Sequence, residues 1–345
     1  MRKFIYSLMT DKLNGAFYSC LKFLLYIISL CYALAIFIRA LLYKFRIFRT
    51  QTVPMKVISV GNLTLGGTGK TPFVICLANM IEGTLKKSVS ILIRGYGWDE
   101  QAMLKKKLPD VPILAGENRA KSAHRAIKLY GSNTAILDDG FQHWEMKRDL
   151  DIVLIDSRSP FGNGQLFPRG ILREPVSAIA RADVVVFTKI NSRALDIGSL
   201  KSGLTKLNEK LIFLEAVHKP KNFYDVKMRK DLDLSFVNGK RAILLSSIGD
   251  PSYFEDTVRG LGANIVEHIA FGDHHDYSPS DARFVMKRYS ERTFDCIITT
   301  DKDAVKLNRM SISFAKYQLL VLVVDMEITS GKEELIAGLH SLYTG

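Results

Sequence analysis

Two periodicities alternate along this chain. Short apolar runs rich in Val and Ile, bounded by Gly, Asp or Asn, read as strands: MKVISVG (55–61), VSILIRGY (89–96), TAILDD (134–139), DIVLID (151–156) and ADVVVFTK (182–189). Between them, GKTPFVICLANMI and ENRAKSAHRAIKLY place their apolar residues at helical spacing. This alternation predicts an α/β domain: a parallel sheet with helices on both faces.

A second series begins near residue 241. RAILLSSIG reads as strand, SYFEDTVRGLG as helix and NIVEHIAF as strand, and a further helix starts at Ser278. Ser278 as N-cap, Pro279 at the first helical position and Asp281 two residues later form its start signal. FDCIITT, QLLVLVVDMEI and a closing KEELIAGLHSLY helix complete the series. Pro220, Asn222, Asn238 and Gly239 punctuate the charged stretch before it. The expected organisation is an N-terminal helix and basic connector over 1–50, a first domain over 51–220, a linker over 221–240 and a second, smaller α/β domain over 241–345.

The N-terminal segment carries its own pattern. FLLYIISLCYALAIFI (23–38) is unbroken apolar sequence between Lys22 and Arg39, slightly short of the ~20 residues that span a bilayer. Ala33-Leu34-Ala35 is similar to a signal cleavage site, but the apolar run continues past it. Basic residues flank both ends, so charge sets no orientation. A helix lying in one leaflet with its lysines and arginines at headgroup level fits as well as a span.

Composition narrows the function classes. At 345 residues and 47% hydrophobic content, the chain buries a sizeable core, which excludes disorder as its main state. A formal charge of +13 calls for an anionic partner: nucleic acid, a nucleotide, or an acidic membrane surface. Aromatics are not interleaved with basic runs in any nucleic-acid module, so no nucleic-acid partner is expected. Cys20, Cys31, Cys76 and Cys296 show no CxxC pairing and no zinc spacing, and read as buried thiols in a reducing compartment.

The chemistry concentrates in three places. GNLTLGGTGKTPF (61–73) is a strand-loop-helix in which Thr64 stands where a Walker A loop has its first glycine. Thr64, Leu65, Gly66, Gly67, Thr68 and Gly69 would form the backbone cradle for phosphates at the helix N-terminus. Lys70 would reach the β- and γ-phosphates, and the Thr71 hydroxyl would ligate Mg²⁺. Asp138-Asp139 ends an apolar strand, where acids hold Mg²⁺, although an Asp pair before Gly140 also suits a capped turn. GDHHDYS (272–278) sets two histidines between aspartates and suits an Asp-polarised histidine, a histidine orienting a carboxylate base, or plain capping at a helix start.

The ordered set VISVGNLTLGGTGKTPF, IRGYG, LDDGFQH, LREP, GDHHDYS and TTDKDAVKL resembles the tetraacyldisaccharide 4′-kinase family, the lipid A 4′-kinases of Gram-negative bacteria, from the N-terminal helix to about residue 325. The family's loop also lacks the first Walker glycine. The resemblance implies transfer of the ATP γ-phosphate to the 4′-hydroxyl of a tetraacylated glucosamine disaccharide 1-phosphate, giving lipid IVA. It implies ATP and Mg²⁺ as cofactors, a monomer, an anionic membrane surface as partner and the cytoplasmic face of the inner membrane as location. It also implies a P-loop NTPase-like fold with a C-terminal domain closing the active-site cleft.

Carried over residue by residue, the resemblance gives Lys70 and Thr71 the phosphate and magnesium roles, and makes Asp138 and Asp139 the magnesium acids. The family's proposed catalytic pair is an Asp in G-D-E-P and a His in D-H. His274, preceded by Asp273, matches the second; Asp99-Glu100, with Trp98 for Gly and Gln101 for Pro, is the remnant of the first in a shortened segment that also reads as an exposed acidic turn. Asp99 is then expected as the base, tuned by His274. Arg94, Arg119, Arg169 and Arg173 are candidates for substrate or nucleotide phosphates, and Arg94, His143, Arg173 and Glu174 for substrate contact. The competing reading is a membrane-associated P-loop GTPase or ATPase switch or maturation factor, because VFTKIN (186–191) and TTDKD (299–303) partly match the guanine-reading N-K-x-D signature. TTDKD could instead line an adenine pocket.

Overall fold

The computed structural model describes residues 2–95, 97–190, 196–291, 293–309 and 318–344. Tyr96, the end of the run expected as strand, and Asn191 of VFTKIN lie outside them. The chain forms two compact units: Met1–Tyr96 with Leu108–Val217 and Glu327–Gly345, and Gly97–Lys107 with His218–Met326.

In the first unit, the strand Lys56–Asn62 is central, paired in parallel with Thr134–Asp138 on one side and Leu150–Asp156 on the other. Val89–Ile93 and Ile113–Ala115 extend the first side. Val184–Thr188 and the start of Ile212–Asp225 extend the second. All of these pairings are parallel, as the apolar runs predict. Ala135 and Leu137 pack under Ala120, Ala123 and Ala126 of the helix Arg119–Tyr130, where small residues let helix and sheet approach closely. The helix Lys70–Gly83 buries Phe73, Val74, Leu77 and Ile81 against the sheet. The chain leaves the central strand toward one sheet edge and later returns to build the other, so the loop after Asn62 lies at the switch point where open α/β sheets bind ligands.

The second unit holds a smaller parallel sheet in which Arg241–Ser246 lies between Asn264–Ala270 and Cys296–Thr300, with Leu319 onward pairing the latter. Ser278 caps the helix Pro279–Glu291 as its sequence predicts: its Oγ accepts from Asp281 N at 3.2 Å, and Asp281 accepts from Ser278 N at 2.8 Å.

The units divide the chain at different places from the boundaries expected from composition. Residues 221–240 are not a linker, because Phe223 and Val237 are fully buried with Ala242 and Leu244 in the second unit's core. Residues 97–107 form the helix Trp98–Lys107, which packs on the helix Asp301–Arg309. The closing helix Lys332–Thr344 belongs to the first unit, where the Tyr343 hydroxyl pairs with Thr134 Oγ1 and Lys87 lies over the Tyr343 ring.

The apolar run extends into a 29-residue helix, Ala16–Lys44, long and apolar enough to cross a membrane. One side docks on the first unit, while Phe23, Leu24, Ile27, Leu30, Leu34 and Phe37 stay exposed. Cys20 and Cys31 are exposed on this helix rather than buried; Cys296 alone of the four is buried.

Candidate active site

The loop after Asn62 is fixed from several directions before any ligand is considered. Asn62 Nδ2 donates to Thr64 O at 2.9 Å and to Thr68 Oγ1 at 3.0 Å. Leu65 N donates to Ile171 O and Arg173 N to Leu63 O, both at 2.7 Å, so buried Thr64 stands where the loop is tied to LREP. Gly66 and Gly69 have φ of 115° and 87°, which an L side chain resists. Beneath the loop, buried Lys189 donates to Gly67 O at 2.8 Å and pairs with Asp156, and Thr188 Oγ1 donates to Thr68 O at 3.0 Å. No side chain caps the helix that starts at Lys70, which leaves its first N–H groups to an anion.

Lys70, Thr71, Asp138 and Asp139 come together as expected. Thr71 Oγ1 donates to Asp138 Oδ2 at 3.3 Å, and Lys70 Nζ lies 3.5 Å from Asp139 Oδ1. Arg173 forks onto both Asp139 oxygens at 3.0 and 2.9 Å. The packing around Asp139 pushes its carboxyl up, but the charges of Lys70 and Arg173 outweigh this and draw it down to about 2. A hydroxyl beside a carboxylate is a hard oxygen set that suits Mg²⁺ completed by phosphate oxygens and water. Among the described residues no group of three His, Cys, Asp or Glu could hold a metal on its own.

The substrate candidates of this unit part company. Arg94 is exposed. Arg119 is buried, donates to Asp138 O at 2.9 Å and keeps a buried Nε with no partner among the described residues. His143 is half-buried; burial and then the charges of Arg119, Arg148, Arg39 and Arg94 lower it to about 4, so it is neutral at pH 7. Glu174 is buried and paired with Arg181 at 2.7 Å, which makes it a brace and not an open contact. Arg169 is taken by Asp11 at 2.9 Å. The apolar helix touches the same region: Tyr32 Oη donates to Arg173 O at 2.9 Å, Arg39 to Gln142 O at 2.6 Å, and Arg39 lies over Trp144.

In the second unit, Asp99 is not in an exposed acidic turn. It sits in the first turn of Trp98–Lys107, 2% exposed. Its Oδ2 lies 3.2 Å from His274 Nδ1, 3.3 Å from Lys306 Nζ and 3.7 Å from Lys302 Nζ. Burial pushes the Asp99 carboxyl up, but the His274 hydrogen bond and the Lys302 and Lys306 charges outweigh it and hold Asp99 well below the usual carboxylate range. An ionised carboxylate only accepts, so Nδ1 carries the hydrogen and Nε2 the lone pair, which lies 3.4 Å from Lys302 Nζ. The bond to Asp99 raises the His274 pKa against burial and the Lys302 charge. His274 has φ 57° and a side chain 45% exposed. His275 is occupied elsewhere, stacked on Phe271 and bonded to Asp281 at 3.0 Å.

TTDKD, read as a possible adenine wall, instead supports Asp99. Asp301 pairs with Lys107 at 3.0 Å, and Lys302 and Lys306 face the Asp99 carboxylate. Neither lysine was among the expected site residues. The signal was present: Asp303 falls on the same helical stripe as Ala304 and Leu307, and all three are buried, so a charged network had to accompany them.

With this geometry in place, comparison with known proteins is informative. Residues 21–99 and 97–343 match the family described as Tetraacyldisaccharide-1-P 4'-kinase. The chain is 36% identical over 318 residues to the tetraacyldisaccharide 4'-kinase of Syntrophus aciditrophicus, covering 83% of this chain and 84% of the relative. It is 34% identical over 348 residues to that of Halothermothrix orenii, covering 90% of each. A crystal structure of LpxK from Aquifex aeolicus in complex with ATP matches with a TM-score of 0.73 at 27% identity, covering 94% of this chain and 99% of the other.

Proposed function

Because the chain belongs to the tetraacyldisaccharide 4′-kinase family, we propose that it transfers the γ-phosphate of ATP to the 4′-hydroxyl of a tetraacylated glucosamine disaccharide 1-phosphate, as an enzyme of lipid A biosynthesis. The observation that carries this reading is the Lys70–Thr71–Asp138–Asp139 constellation on a braced phosphate loop.

The loop N–H groups and Lys70 hold the nucleotide phosphates. Thr71 and Asp138 would hold Mg²⁺, with Asp139, also expected as a magnesium acid, paired with Lys70 and Arg173 beside them. When bound, the ion neutralises charge on the transferring phosphoryl group.

A sugar hydroxyl needs its proton removed as the new P–O bond forms, which is typically worth about 10²- to 10⁴-fold. Asp99 was expected to take it. Its burial and its three partners on one oxygen make it a poor base, whereas the His274 side chain is 45% exposed and its Nε2 faces Lys302 Nζ at 3.4 Å as a hydrogen-bond donor, which an acceptor hydroxyl would replace. The assignment supported by these contacts is therefore the reverse: His274 accepts the proton, and Asp99 fixes its tautomer and stabilises the imidazolium. His143, Arg94 and Arg119 are the remaining cationic or neutral donors for the acceptor and the phosphates.

The helix Ala16–Lys44 has Tyr32, Arg39 and Tyr43 in contact with the rest of the first unit along one side, which favours a helix lying along the membrane surface. It lies in one leaflet on the cytoplasmic face of the inner membrane, exposed apolar side toward lipid, where a water-insoluble acceptor resides.

Incubation with γ-³²P-labelled ATP or GTP and detergent-dispersed tetraacyldisaccharide 1-phosphate tests the reading. Label transferred to the lipid from ATP supports it; preferred GTP binding with no lipid labelling would establish the switch reading instead.

A further inference from the structure

Behind Asp99 lies a second cation that the mechanism above leaves without a role. Lys306 has a side chain only 1% exposed. A buried ammonium survives only where it is paired and hydrogen-bonded. Its Nζ donates to Ser247 Oγ at 2.8 Å and lies 3.3 Å from Asp99 Oδ2 and 4.0 Å from Asp303 Oδ1.

Asp303 is itself fully buried, and it accepts from Ser247 N at 3.1 and 3.0 Å, from Ser247 Oγ, from Tyr277 Oη at 3.2 Å and from Thr300 Oγ1 at 2.8 Å. Ser247 and Thr300 stand at the ends of two neighbouring sheet strands. Lys306 is thus anchored at the ends of two paired strands and projects its charge onto the oxygen that receives His274 Nδ1–H.

We propose that Lys306 is a positioning residue for phosphoryl transfer: it holds the Asp99 carboxylate in the one orientation that fixes the His274 tautomer. This rests on the reading of Asp99 and His274 as the proton-transfer pair. Lys302, with a side chain 16% exposed, approaches Asp99 from the open side together with Glu100 and Asp273, so the inner contact is the one that solvent and acceptor cannot reach. Asp303, Ser247 and Tyr277 serve Lys306, not the acceptor.

The test pairs Lys306→Met with Asp303→Asn, which removes both buried ions together, and measures the combination in the parent and in Asp99→Asn. The double change leaves the KM for ATP within about twofold and lowers kcat about 10- to 100-fold, whereas in Asp99→Asn it costs less than about twofold more, because Lys306 acts only through that carboxylate. Unchanged kcat in the parent background, or a full multiplicative loss in the Asp99→Asn background, overturns the proposal. If the double variant does not fold, Lys306→Arg, which keeps the charge but displaces the donor, is read by the same two criteria. Parental kcat in Asp99→Asn alone would instead overturn the reading beneath it, a result obtained without touching Lys306.

Discussion

His274 Nδ1 lies 3.2 Å from Asp99 Oδ2, joining a half-exposed imidazole to a carboxylate that water barely reaches. In the proposed mechanism the pair divides one task between two residues: the buried anion supplies charge and orientation, and the half-exposed ring supplies the proton site. Neither residue alone has both properties.

The pH dependence follows from that division. Asp99 stabilises the imidazolium and so raises the His274 pKa above its ordinary value. With neutral His274 proposed as the proton acceptor, turnover is expected to fall as pH drops through that raised value. Glu100, Asp273, Lys302 and Lys306 face the pair and stay unchanged in Asp99→Asn. That variant loses the anion, so the acid limb of its kcat profile moves to lower pH while the plateau falls; a pH–rate series on both proteins shows the shift.

The phosphate loop responds differently. Lys70→Ala raises the KM for ATP and lowers kcat by about 10²- to 10³-fold, the usual cost of removing one preorganised donor from a developing charge. Thr71→Ala requires more Mg²⁺ for half-maximal rate, which a magnesium titration at fixed ATP measures.

The loop's support is testable by stability. Lys189→Met leaves the part-buried Asp156 without its cation, and breaking a pair with one buried partner costs about 3 kcal/mol, the lower end of the range for fully buried pairs. The thermal midpoint falls by about 10 °C on the usual scaling for domains near this size, and the KM for ATP rises as Gly67 O loses its donor.

Membrane attachment rests on the exposed side of Ala16–Lys44. Phe23, Leu34 and Phe37 are 65%, 58% and 59% exposed, and each buried apolar side chain of this size is worth about 1.5–3 kcal/mol. Replacing all three with Ser shifts the protein from the vesicle pellet to the supernatant in sedimentation, with the phosphate loop intact by nucleotide binding.

Much of this architecture is legible in the chain. The strands that end in VGN and in LDD show as apolar runs, and the loop between Asn62 and Lys70 announces its ligand through Gly66, Gly69 and Lys70, because these signals are local. What the chain hides is assembly over distance. Trp98–Lys107 carries Asp99 into the second unit through its packing on Asp301–Arg309, and nothing in WDEQ itself indicates that partner. Glu174 looks like an open acid until Arg181 is found beside it. Lys306 looks like one more surface lysine until Ser247 and Asp303, 59 and 3 residues away, close around it.

Lipid phosphorylation is proposed to need both the phosphate loop and His274. Its most direct test is ³²P transfer from ATP to tetraacyldisaccharide 1-phosphate, with His274→Gln beside the parent protein and ATP affinity measured in parallel. The expected result is a labelled lipid from the parent, and from His274→Gln an unchanged ATP affinity with a rate lower by about 10²- to 10⁴-fold. A parent that leaves the lipid unlabelled, or a His274→Gln protein that labels it at the parental rate, would contradict it.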